Sequence, residues 1–112
     1  MTDKLITLSQ DENEVNNGLV VVFRKPYSFE GKEYSEIDLS GIENMSGEQL
    51  CAAHRLFAKE RGVVLTPELD PCYAAIVGGL VTGKPIEFFY GLPAKELFQI
   101  KKVISGFFFG ED

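Results

Sequence analysis

The chain is poor in the residues that carry most enzyme chemistry. It has one histidine, His54, and two cysteines, Cys51 and Cys72, among 112 residues. Without a second histidine, an activated nucleophile or a paired carboxylate at recognisable spacing, His54 has no evident partner for acid–base work. It is read as a histidine at the boundary of a helix stripe. The cysteines form no CxxC pair and fit no metal spacing, so both are expected as small buried apolar residues. No metal and no cofactor is expected. No Gly-rich phosphate loop is present either: Gly78, Gly79 and Gly83 are followed by no Lys-Ser/Thr pair. The first residues lack the pattern of a signal peptide, and no apolar run approaches the roughly 20 residues that span a bilayer. A soluble cytoplasmic protein without membrane contact is the expectation.

Basic charge is scarce too. Lys and Arg number 11 against 17 Asp and Glu, for a net charge of -6. Nucleic-acid phosphates are bound through clustered Lys and Arg, so a nucleic-acid partner is not expected. The imbalance is confined to the first half. Residues 1–49 carry four basic and ten acidic side chains, giving -6, and residues 50–112 carry seven of each.

What the chain does have is apolar patterning, 45% of its residues, enough for one modest core in a single domain spanning 19–112. Residues 1–18 read as a flexible N-terminal arm, because their polar run from Ser9 buries too little to offset ordering. The alternative is a short edge strand at Lys4 to Leu8. A β-hairpin is predicted over 19–40, with strands from Leu19 to Lys25 and Lys32 to Ser40 around the turn Glu30-Gly31-Lys32. Pro26 should end the first strand, since it gives no N–H to a ladder. In the second, only Ile37 and Leu39 are expected to be firmly buried.

Three helices follow. The first, over about 47–61, starts from a capping box between Ser46 and Gln49 and closes at Gly62. Its predicted stripe is Leu50, Ala53 and Phe57, with Cys51 and Ala58 alongside. Val63-Val64-Leu65 should be an extended linker with one buried side. The second helix, 71–82, takes Asp70 as N-cap and Pro71 as first residue, and closes at Gly83. Its apolar stripe is Tyr73, Ile76, Val77, Leu80 and Val81. Gly78 and Gly79 inside it each cost roughly 1 kcal/mol relative to Ala, so a close approach should compensate. That approach is either by a helix of the same chain or by a partner's. The third helix, 93–109, carries Leu97, Ile100, Ile104 and Phe107 at helical spacing and ends in Phe107-Phe108-Phe109. Adjacent helical positions point roughly 100° apart, so at least one of these rings should be exposed or covered by a partner, although folding back over the hairpin would bury them equally well. The fold class is therefore α+β, mainly helical, a hairpin followed by about three helices.

The run of hydrophobic strand, Lys25-Pro26, Glu30-Gly31-Lys32-Glu33-Tyr34, Ile37-Asp38-Leu39-Ser40-Gly41-Ile42-Glu43 and Met45-Ser46-Gly47-Glu48-Gln49-Leu50 resembles tail assembly chaperones of long-tailed bacteriophages and prophages. Glu68 to Ala75, Pro85 to Phe89 and Leu92 to Glu96 resemble the same family, so the likeness covers about residues 19–109. It implies a non-virion protein of the bacterial host cytoplasm. Such a protein binds the tape measure protein, keeps it soluble, and helps recruit major tail protein to polymerise around it. It also implies self-association, and in many members a longer form made by ribosomal frameshifting. A holdase covers the apolar helix faces of its client with apolar stripes of its own. Tyr73, Ile76, Val77 and Leu80, with Phe107, Phe108 and Phe109, are the expected partner contacts. Two other classes stay open. A head–tail connector or tube subunit would persist in purified virions, and a small enzyme or regulatory protein would need His54 beside a polar partner in a cleft.

Overall fold

The structure, a computed structural model, describes residues 19–110. The predicted N-terminal arm and the alternative strand at Lys4 to Leu8 lie outside the described residues. Two consecutive residues with positive φ, Glu30 at 49° and Gly31 at 82°, reverse the chain between β1 (Val20–Phe29) and β2 (Lys32–Asp38). That pair of left-handed residues is the tight hairpin turn whose twist matches its strands.

The strands pair antiparallel, with Val20 opposite Asp38, Val22 opposite Glu36 and Tyr27 opposite Tyr34. Register is irregular between Val22 and Tyr27, where β1 spends more residues than β2. Pro26 sits inside this bulge. The predicted strand end at Lys25 is thus corrected: the bulge takes the proline out of the ladder, so β1 resumes beyond it and runs to Phe29. Arg24, in the same bulge, donates its backbone N–H to Glu96 Oε2 at 2.8 Å. At the other end β2 stops at Asp38, two residues earlier than predicted. Its carboxylate accepts the Ser40 N–H at 2.9 Å and turns the chain into a 3-10 helix, Ser40–Asn44.

Helix α1 (Gly47–Arg61) begins at the predicted capping box, with Gln49 N–H donating to Ser46 Oγ at 3.1 Å and Ser46 N–H donating to Gln49 Oε1 at 3.0 Å. Ala53 and Phe57 are its buried residues. Cys51 is exposed, as is Ala58, which corrects the broader stripe. The reason is angular: α1 buries one narrow face, and a residue next to Leu50 points away from it. Cys72 is half-buried.

The link from α1 to α2 (Pro71–Thr82) was expected to bury one side. Instead Val63 is 95% exposed and Leu65 98%. Only a short 3-10 turn, Pro67–Leu69, precedes α2, and no described element packs over the loop before it. Asp70 caps α2 by accepting the Cys72 N–H at 2.8 Å, and Gly83, at φ 80°, closes it. Six consecutive residues, Tyr73 to Gly78, are buried. A helix buried all round is a central element, and α2 packs against α1, the short α3 (Ile86–Tyr90) and α4 (Ala94–Phe109).

Helix α3 is a fourth helical segment beyond the three predicted. Its Phe88 and Phe89 are fully buried. Phe88 meets Tyr27, Phe29 and Tyr34 edge-on, with ring centroids 5.1, 5.3 and 5.0 Å away, and its carbonyl accepts the Tyr27 hydroxyl at 2.9 Å. Edge-to-face contacts of this kind add about 0.5–1.5 kcal/mol each beyond burial, so one phenylalanine anchors the hairpin to the helices. Phe89 closes over Gly78, where an added Cβ would stand 2.8 Å from its Cε1. The close approach that compensates this glycine therefore comes from the chain itself.

Candidate interaction surfaces

The predicted contact residues divide sharply in the structure. Tyr73 and Val77 are fully buried and Ile76 is nearly so. Their place in the core corrects the expectation that this stripe faces a partner: α2 is surrounded by its own chain and has no free apolar face at those positions. Leu80, one turn on, is exposed. It edges a shallow groove of about 330 Å³ between α1 and α2, lined also by Leu56, Ile76, Glu60, Lys84 and Ile86. Leu56, on the outer side of α1, was not singled out by the sequence; it breaks the stripe because it belongs to this groove. Apolar walls with one acid and one base at the rim suit an amphipathic helix.

At the end of α4, Ile100 and Ile104 are fully buried, whereas Phe107 and Phe109 are exposed and Phe108 is half-buried. Phe107 therefore leaves the stripe predicted for it. Phe107 and Phe108 stand edge-on with centroids 5.6 Å apart and line a small cleft of about 130 Å³ with Met45 and Leu50. Phe109, at 58%, is the most exposed of the three. Val63 and Leu65 on the α1–α2 loop, and Val22 and Phe98 beside the free edge of β1, are further large apolar groups on the described surface.

His54 does have a polar neighbour. Its Nε2 lies 3.2 Å from Glu68 Oε2, and its ring lies against Tyr73 with centroids 5.0 Å apart. Glu68 reaches it from the 3-10 turn before α2, a proximity that the separation along the chain conceals. Both side chains are partly exposed, so the pair is a tether between α1 and the α2 entry of modest strength. Beneath it the Tyr73 hydroxyl is buried with no hydrogen-bond partner. Burial, with Glu68 adding, pushes its pKa up to about 12, so it neither takes nor gives a proton near neutrality. The principal grooves of the described surface are lined by other residues. Among the described residues no group of three or more His, Cys, Asp or Glu is placed to hold a metal ion, and no helix is long and apolar enough to cross a membrane.

Among the described residues the arrangement offers surfaces for apolar contact and the His54–Glu68 ion pair. Set against protein-family models, curated proteins and solved structures, the chain has no match.

Proposed function

We propose that the protein is a tail assembly chaperone: it holds the tape measure protein of a phage or prophage by covering apolar helix faces, and helps major tail protein polymerise around it. The observation that supports the reading most is the placement of large apolar groups outside a closed core. Leu56 and Leu80 flank the α1–α2 groove, Phe107 and Phe109 end α4, and Val63 and Leu65 project from the loop that joins α1 to α2. A lone domain of this size gains nothing in stability from such exposure, and clustered exposed apolar groups mark contact sites. The resemblance to the chaperone family supplies the client's identity.

The test is co-expression. The tape measure protein should be soluble only with this protein present, should co-purify with it, and should lose that protection when Leu56 and Phe109 are changed to aspartate. Purified virions should contain none of it. Equal solubility of the tape measure protein alone, with no co-purification, removes the proposal. The His54–Glu68 pair favours a second reading, a small enzyme or regulatory protein. Under that reading His54→Ala abolishes activity and leaves folding intact; under the chaperone reading it leaves client protection unchanged.

A further inference from the structure

Strand β2 covers only one side of β1, and among the described residues nothing pairs with the other. Leu39 N–H donates to the Leu19 carbonyl at 2.7 Å. In an antiparallel ladder paired and unpaired positions alternate, so Leu19 and Val21 face β2, while the N–H and C=O of Val20 and Val22 point outward. Arg24 keeps the same parity, and its outward N–H is taken by Glu96 Oε2. A buried carboxylate of α4 thus already occupies one donor of this edge, in the place where an incoming strand would put an acceptor.

Between the edge and α4 runs a trough with two lobes of about 590 and 560 Å³. Both are lined by Arg24, Lys95 and Glu96; Val22, Phe98 and Val103 line the first and Lys25 the second. Val22 is 67% exposed. Pro26 and the bulge blunt the far half of the edge, as edge strands commonly are, but Val20 to Val22 have neither. The charge is also out of character. Glu96 is buried against the Arg24 N–H, whereas Arg24, Lys25 and Lys95 are exposed, a basic lining on a protein of net charge -6.

We propose that this trough binds an extended acidic segment of another protein, added to β1 as a third strand. The backbone of the segment would satisfy Val20 and Val22, its apolar side chains would cover Val22 and Phe98, and its carboxylates would meet Arg24 and Lys95. A helix cannot do this, because its own backbone groups are already paired. A second copy pairing by the same edge would offer Val20 to Lys25, a segment that carries no carboxylate for Arg24 and Lys95 to meet. The inference is independent of the chaperone reading, since a groove for a helical client lies elsewhere, between α1 and α2.

The test uses the full chain and a fluorescent peptide of about eight residues alternating glutamate with valine, followed by anisotropy and by amide shifts in NMR spectra. Binding should be saturable and weaken as salt rises. The same peptide with lysine for glutamate should bind at least roughly tenfold more weakly, because like charges then face each other. Shifts should centre on Val20, Val22 and the Lys95 to Val103 side of α4. Val22→Asp and Lys95→Glu, both at exposed positions, should each weaken binding while leaving the far-ultraviolet spectrum unchanged. The proposal is overturned by absent binding, by equal binding of the lysine peptide, or by shifts centred elsewhere. It is overturned equally if a peptide of residues 1–17 binds more tightly than the probe, which assigns the trough to the chain's own N terminus. A dimer whose formation protects the Val20 and Val22 amides would assign it to a second copy.

Discussion

Gly78→Ala decides whether the glycine pair of α2 serves the fold or a partner. A glycine inside a helix costs about 1 kcal/mol relative to alanine, so the substitution starts with that much in its favour. Against it stands Phe89. The new Cβ would lie 2.8 Å from Phe89 Cε1 and 3.0 Å from Cζ, and the ring is fully buried with Phe88 beside it at 5.1 Å. To move away, Phe89 must displace the phenylalanine that anchors the hairpin. Overpacking of this kind costs about 1–3 kcal/mol. The net expectation is a loss of about 1 kcal/mol, read as a lower urea midpoint by circular dichroism at constant m-value. The decisive arm is Phe89→Leu. In that background the obstacle is gone, so Gly78→Ala should instead stabilise by about 1 kcal/mol, a coupling of about 2 kcal/mol between two residues in contact. If Gly78→Ala stabilises equally in both backgrounds, the space over Gly78 is open and the argument from Phe89 fails. A partner helix would then be the better explanation of the pair.

Other consequences are simpler to measure. Tyr73→Phe removes a buried hydroxyl that has no partner and should raise stability by about 1 kcal/mol in urea titration; a loss would show that the hydroxyl is satisfied after all. The same residue sets an alkaline limit. Unfolded, it loses its proton near pH 10, and folded only near 12, so stability present below pH 10 falls between these values by up to about 3 kcal/mol. Thermal melts across that window should show a shallower fall for Tyr73→Phe than for the parent chain. Ser46→Ala removes the α1 capping box and should cost about 1 kcal/mol in the same assay. Leu56→Asp, on the exposed rim of the α1–α2 groove, should change stability by less than about 0.5 kcal/mol yet reduce the yield of soluble tape measure protein in co-expression.

Local chemistry was legible in the sequence wherever a few neighbouring residues determine the outcome. The Glu30-Gly31 turn, the Ser46/Gln49 box, the Asp70-Pro71 start and the Gly83 close are each fixed by side chains within a turn of the position they act on. Where a distant residue decides, the sequence misled. Pro26 ends a flat strand, but β1 bulges there and continues, and Arg24 beside it turns to Glu96, far along the chain. Glu68 is the same case: nothing in the spacing places it at His54, because the loop and 3-10 turn between them set that distance.

The stripe expected to meet a partner lies in the core for a related reason. Helical periodicity says which residues share a face but not what that face meets. Tyr73, Ile76 and Val77 read as a stripe, but their helix is apolar nearly all round, as a central helix is, so they went to the core. Residues that remain exposed for the proposed contact are the apolar ones that periodicity cannot seat. Val63 and Leu65 lie in no helix, Leu56 stands off the α1 stripe, and Phe109 follows two other rings on a last turn that has room for one. A large apolar side chain with no place in its own element's pattern gains little burial from folding, and contact with another molecule would remove the rest of it from water.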